Sequence, residues 1–417
     1  MRIAMVSEHA SPLAALGEAE CGGQNLHVAE LAAALADRGH QVTVYTRQDD
    51  PGQPGHVMAP GGYRVVHVPA GPVAPVPRDE LMPHLPAFTA FLGRRWQYRR
   101  PDVVHAHFWM SGVVSQRAAA PLGVPVVLTY HALGVVKRRH QGAADTSPAR
   151  RVELERAIGR AAAAVVATCG DEVGELVRLG LSRERLHVVP CGVDCARFRP
   201  APPPDRRPGT LQVLSAGRLV PRKGHDVAIH ALAGVPGARL TIVGGPPADQ
   251  LGQDPEARRL HRLARDLGVE RRVRFTGQAS RDAMASHLRS ADVVACVPRY
   301  EPFGLVALEA MASGTPVLAS AVGGLLDTVV HRVTGEHVPP GQPEALAAAL
   351  RRLAGDPVKL RQYGIAARER AVARYPWPQV AELTERVYRR VAAAGSTHNP
   401  GRGDDARDAA VAAGGAR

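Results

Sequence analysis

At 417 residues the chain exceeds one typical domain, and two folding units are the natural expectation. The formal charge of +13 invites a nucleic-acid or membrane-surface role, yet the basic clusters are short (Arg94, Arg95, Arg99, Arg100; Lys137, Arg138, Arg139; Arg271, Arg272, Arg274) and carry no interleaved aromatics. No nucleic-acid partner is expected and membrane association is not favoured. Five cysteines (Cys21, Cys169, Cys191, Cys195, Cys296), odd in number and without a CxxC, support neither a disulfide framework nor a zinc knuckle. MRIAMVSEHA lacks the apolar core of a signal peptide, and no run approaches about 18 uninterrupted apolar residues, so a soluble cytoplasmic protein is expected.

Residues 2 to 6 read as a buried strand. A loop from Ser7 to Asn25 leads into the periodic helix LHVAELAAALADRG, which ends at Gly39, and QVTVYT follows as a second strand. This order opens a doubly wound parallel sheet, whose ligands gather at the carboxyl ends of the strands. Gly22 and Gly23 lie at such an end and could admit a phosphate, although plain loops also use paired glycines. Further strands are expected at YRVVHVP, DVVHAH, VPVVLTYH, AAVVAT and LHVVP. Their polar ends, His105 and His107, Tyr130 and His131, and Thr168, could face a cleft. His105-x-His107 has a spacing some metal sites use, but no third ligand or carboxylate is evident nearby, and a packed or hydrogen-bonding role is the better reading.

RFRPAPPPDRRPGT, with five prolines in fourteen residues, reads as an interdomain connector. The α/β pattern then restarts with LQVLSAG, LTIVGG, VRFTG, DVVACV and PVLAS, predicting a bilobed protein with a cleft between its halves. Helices are expected over 344–353, 358–373 and 380–393, and the tail 395–417 has no apolar anchors and reads as disordered.

Two stretches of this second half carry chemistry. GRLVPRKG sets Arg218 and Lys223 on a glycine-flanked turn after the first strand, where two cations suit a diphosphate and a solvated charged turn is the plainer alternative. RYEPFGLVALEAMASGTPVLASAVGG places Glu301 ahead of a helix and Glu309 in its second turn, with Pro302 suited to the first turn and Gly314 to the stop. Backbone amides near Phe303, Gly304 and Leu305 would be unpaired at a helix start that attracts anions. Phosphate is the simplest ligand common to all these strand ends.

Together, Glu301 and Glu309 with seven residues between them, ASGTPVLASAVGG after them and GRLVPRKG before them resemble the retaining glycosyltransferases of family 4, from about residue 2 to about 394. SEHASPLAALG with GGQN, HAHFWMSG and LTYHALGVVKRR are most similar to the branch of inositol-phosphate N-acetylglucosaminyltransferases of mycothiol synthesis and their sucrose-synthesising relatives. The resemblance implies the GT-B fold: an acceptor-binding Rossmann-like domain over 1–195, a linker over 196–209, a nucleotide-sugar-binding Rossmann-like domain over 210–375, and a helix over 376–394 packing back on the first domain. It implies that Arg218 and Lys223 hold the donor diphosphate, Glu309 accepts from the ribose and Glu301 from the donor sugar. Phe303, Gly304 and Leu305 would offer amides, Gly23 would close the pocket from the other lobe, and His131 would hydrogen-bond near the reacting sugar. His131, Glu301, Arg218 and Lys223 are therefore the expected catalytic group. The leaving phosphate takes the acceptor's proton in such front-face transfer, which calls for charge stabilisation rather than a protein nucleophile. No metal and no cofactor beyond the nucleotide-sugar co-substrate is implied, and a homodimer is allowed without being specified.

The acceptor side departs from that branch. Where it surrounds an acceptor phosphate with lysine, tyrosine, threonine and arginine, this chain offers Arg78, Phe108, Ala132 and Arg150 or Arg151, with Asn25 also expected near the acceptor. Two hydroxyls are lost, which points to an unphosphorylated cyclitol or aminocyclitol of natural-product assembly, with N-acetylglucosamine from UDP-N-acetylglucosamine as first-choice donor. The alternatives are a sugar-nucleotide epimerase of the same fold, lacking here its extra acid and base carboxylates, or transfer to a lipid or sugar phosphate. A nicotinamide dehydrogenase is disfavoured by the absence of a compact GxGxxG, and a basic binding module without catalysis ranks lower still.

Overall fold

A computed structural model describes residues 1–14, 22–201 and 210–397. Cys21, most of the expected proline-rich connector and the tail beyond 397 lie outside the described residues.

Two sheets organise the molecule. The first contains β1 (Arg2–Val6), β2 (Gln41–Arg47), β3 (His56–Met58), β4 (Arg64–Val68), β5 (Val103–His107), β6 (Val126–Thr129), β7 (Ala164–Ala167) and β8 (Leu186–Val188), in the order β3-β4-β2-β1-β5-β6-β7-β8. The second contains β9 (Leu211–Ala216), β10 (Ala238–Val243), β11 (Val273–Gly277), β12 (Val293–Cys296), β13 (Val317–Ser320) and β14 (Gly335–Val338), in the order β11-β10-β9-β12-β13-β14. Only β3 runs antiparallel to its neighbour. The central strands read as near-continuous Val, Leu, Ile and Ala runs because helices cover both faces and each strand is buried on both sides. Strand order reverses between β1 and β5, where Ile3 lies between Val42 and Val103, and again between β9 and β12. Crevices at the carboxyl ends of such switch points are where doubly wound sheets bind ligands. The folds are those of two Rossmann-like domains.

The short β3 (HVM) and β14 (GEHV) were not anticipated: both lie at sheet edges and carry polar residues or glycine in place of the apolar run that marks the buried strands. The helix Trp377–Thr397 crosses back, and its Trp377, Val380, Ala381 and Tyr388 share one apolar cluster with Ile3, Met5 and Val28 of the first lobe. Its last residues overlap the stretch read from sequence as the start of a tail.

Candidate active site

On the second lobe, β9 runs into Gly217 and a turn that carries Arg218, exposed, and Lys223, mostly buried. Lys223 Nζ lies 2.6 Å from Glu301 Oε2, and Arg222 approaches the same oxygen at 3.6 Å. Burial pushes the Glu301 carboxyl up, but Lys223, Arg222 and Arg218 outweigh it and hold the group below its usual value, hence ionised. The glycine pair downstream fixes its backbone: Gly323, with φ of 49°, packs on the Glu301 carbonyl, which also accepts from the Gly324 amide at 3.1 Å. Any side chain at Gly323 would displace Glu301.

Pro302 does not enter the helix as expected. Gly304 is its left-handed cap, with φ of 95°, so the helix is Leu305–Ala312 and Pro302 lies outside it. The correction leaves the chemistry intact: among the described residues the amides of Phe303, Gly304 and Leu305 have no hydrogen-bond partner. Glu309 sits one turn in, 3.7 Å from Arg281, which also stands 3.9 Å from Glu30 on the first lobe's helix Gly23–Asp37. Burial, opposed by Arg281 and reinforced by Glu30, lifts the Glu309 carboxyl to about 7. Gly23 begins that helix, and a Cβ there would lie 3.0 Å from Leu305 Cδ1, a contact that Leu305 would have to yield to, so the lobes approach closely here.

His131 follows β6 in a left-handed conformation (φ 60°), and Phe108 follows β5 likewise (φ 82°); such backbone strain in non-glycine residues is concentrated at functional sites. His131 lines a cavity of about 220 Å³ between the lobes together with Ala132, Cys169, Tyr300 and Glu301. Its Nε2 is 2.9 Å from His107 Nδ1, and His27 joins them. Burial, then mutual repulsion, drives His107 and His131 well below the ordinary imidazole value, and burial alone drives His27 to about 4, so all three are neutral. The other polar strand ends do not face the cleft. His105 is spent on Tyr388 and Thr129 (2.6 and 2.8 Å), Tyr130 on the Glu155 carbonyl and Thr168 on Glu172.

The acceptor-side residues divide. Arg78 and Arg151 lie over the Phe108 ring, 5.8 and 5.0 Å from its centre. Arg151, only 2% exposed, donates to Glu155, Ser147 and the Ala132 carbonyl (2.8, 3.1 and 2.7 Å), whereas Arg150 is exposed and pairs with Glu153. Arg78 pairs with Asp79, and Lys137 with Asp145 and Asp79 at 3.0 and 3.6 Å. Asn25 binds the Gly22 amide and the Ser11 carbonyl, and lines a separate interlobe cavity of about 690 Å³ with Arg197, Gln278 and Arg281. Sequence reading missed Glu30, Arg281, Arg222, Lys137 and Asp79. Arg222 beside Lys223, Asp79 beside Arg78, and Glu155, also missed and four residues after Arg151 on a helix, had a local signal.

Two facing Rossmann-like lobes with this ionised carboxylate and cations at their cleft define a GT-B glycosyltransferase. The family description "Glycosyltransferase Family 4" matches residues 21–197, and "Glycosyl transferases group 1" matches residues 202–370. The chain belongs to the family 4 glycosyltransferases, enzymes that move a sugar onto a hydroxylated acceptor. It is 39% identical to the D-inositol 3-phosphate glycosyltransferase of Xylanimonas cellulosilytica, over 93% of this chain and 96% of that one. Among solved structures it resembles a sucrose-phosphate synthase from Thermosynechococcus elongatus (TM-score 0.86, 34% identity, 94% and 99% covered) and, in fold alone, HepE of Anabaena in complex with UDP-glucose (TM-score 0.71, 21% identity, 94% and 100% covered).

Proposed function

We propose that this glycosyltransferase moves N-acetylglucosamine from UDP-N-acetylglucosamine, with retention at the anomeric carbon, onto an unphosphorylated cyclitol or aminocyclitol. Arg218 and Lys223 take the diphosphate and the amides of Phe303 to Leu305 meet the phosphate and sugar oxygens. Ionised Glu301 accepts from a sugar hydroxyl, Glu309 from the ribose, and His131 hydrogen-bonds beside the reacting carbon. The acceptor oxygen bonds to the anomeric carbon as the bond to the diphosphate breaks on the same face, and the acceptor's proton passes to the departing phosphate oxygen. The cations and helix-start amides stabilise that charge, so no metal ion is invoked. The choice of donor rests on the motif resemblance.

One observation carries the acceptor reading: the cations around Phe108 and Ala132 are already neutralised. Arg78, Lys137 and Arg151 each face a carboxylate, Asp79, Asp145 and Glu155 respectively. Three of the five N–H donors of Arg151 are spent inside the protein. Cations already paired in this way, with phenyl and methyl groups where hydroxyls would serve a phosphate, suit a neutral or amino polyol better than a dianion. The second reading, an inositol phosphate acceptor, is favoured by the name of the Xylanimonas relative. Steady-state kcat/KM for free inositol, an aminocyclitol and inositol 3-phosphate separates them. An unphosphorylated acceptor should lead by at least about tenfold, equivalent to one lost charged hydrogen bond; equal or faster turnover of inositol 3-phosphate sinks the proposal.

A further inference from the structure

His27, His107 and His131 come from three elements: the helix Gly23–Asp37, the last residue of β5 and the turn after β6. One nitrogen from each lies within 4.8 Å of the others. Their ring centres are 5.7 Å (His27 to His107), 5.0 Å (His27 to His131) and 5.2 Å (His107 to His131) apart. Three imidazoles on a tetrahedral zinc, each nitrogen about 2.0 Å from the ion, place their ring centres roughly 5 Å apart. The ring centres therefore stand near the spacing a shared ion imposes.

Two further facts favour a ligand over simple packing. Buried ring nitrogens are normally satisfied, yet His27 Nδ1 has no hydrogen-bond partner. The fourth histidine nearby, His105, has both nitrogens bonded and stays outside the set. We propose that His27, His107 and His131 form a binding site for a borderline divalent transition cation, zinc first, with a fourth position left to water. The set contains no carboxylate, which disfavours magnesium and calcium. The proton shared between His107 Nδ1 and His131 Nε2 moves to the far nitrogen of its ring, so the cation enters without net proton release. These two nitrogens, 2.9 Å apart, need open only to the roughly 3.3 Å of two ligands on one ion. Because His131 is shared, an occupied site ties up the group assigned to the donor sugar and inhibits transfer; this consequence alone rests on the proposed function.

The test uses the untagged full chain. After incubation with zinc sulfate and desalting, elemental analysis should find one zinc per chain, and cobalt(II) in its place should give the intense visible bands of a tetrahedral nitrogen site. His27→Gln should weaken retention at least tenfold while keeping the wild-type melting curve and basal transfer rate. His331→Gln, at exposed His331 stacked on half-buried His337, serves as control and should change nothing. Zinc should inhibit the wild type, reversibly with chelator, and not His27→Gln. Sub-stoichiometric zinc, absence of the cobalt bands, or loss that follows His331→Gln overturns the site. Zinc held through His27 without inhibition would uphold the site and count against the role given to His131.

Discussion

Glu309 and Glu301 are two carboxylates of one short segment driven in opposite directions by their surroundings. Burial and Glu30 lift the Glu309 carboxyl to about 7, while Lys223 and its neighbours keep Glu301 ionised. If the ribose needs the ionised form of Glu309, donor affinity measured calorimetrically should rise about tenfold between pH 6 and pH 8. Glu30→Gln removes the repelling charge and frees Arg281, so the inflection should move to lower pH; an unmoved inflection would contradict this account of the pair. The sign for stability is the reverse of the usual carboxylate. Between pH 4.5 and about 7 the folded chain keeps a proton that the unfolded chain has released, so this group's contribution falls as pH rises through that window. Glu309→Gln should therefore flatten the melting temperature across it. The two glutamates were legible in the sequence because their spacing, the following glycines and the upstream Arg218 and Lys223 form one pattern. Glu30 and Arg281 were not, because a salt bridge between residues 251 positions apart leaves no local trace.

Element by element, the buried strands were read from their apolar runs. Where reading failed, the cause was local: the edge strands β3 and β14 lack an apolar run, and the left-handed Gly304 starts the helix three residues later than Pro302 suggested. The helix Trp377–Thr397 shows what such elements do for the site. Tyr388 donates or accepts at 2.6 Å with His105 inside the first lobe, and Glu385 binds Arg38 at 2.7 Å. Tyr388→Phe leaves a buried imidazole nitrogen unpaired and should lower stability by about 1–3 kcal/mol, read from the midpoint of chemical unfolding. The transfer rate of the folded variant should stay close to wild type. A loss of rate without a loss of stability would mean that this helix acts on the site directly.

For the whole molecule, the two lobes meet at small or charged groups: Gly23 against Leu305, Arg281 between Glu30 and Glu309, and the Gly170 amide on Asp327 at 2.5 Å. Such an interface is more polar than a core, as expected of lobes that admit a ligand between them. Among the described residues no helix is long and apolar enough to cross a membrane. The bilobed plan was visible in the repeated strand and helix pattern, whereas the neutralisation of the cations near Phe108 depended on pairings, such as Lys137 with Asp145 and Asp79, that the folded chain reveals. The central claim is that the cleft holds a nucleotide sugar through Lys223 and Glu301, and it is tested most directly by thermal shift with UDP-, GDP- and ADP-sugars on the wild type and Lys223→Ala. Binding to the folded state raises the melting temperature by mass action. The account predicts a rise with UDP-N-acetylglucosamine that is lost in Lys223→Ala; no rise with any nucleotide sugar, or an equal rise in the variant, would contradict it.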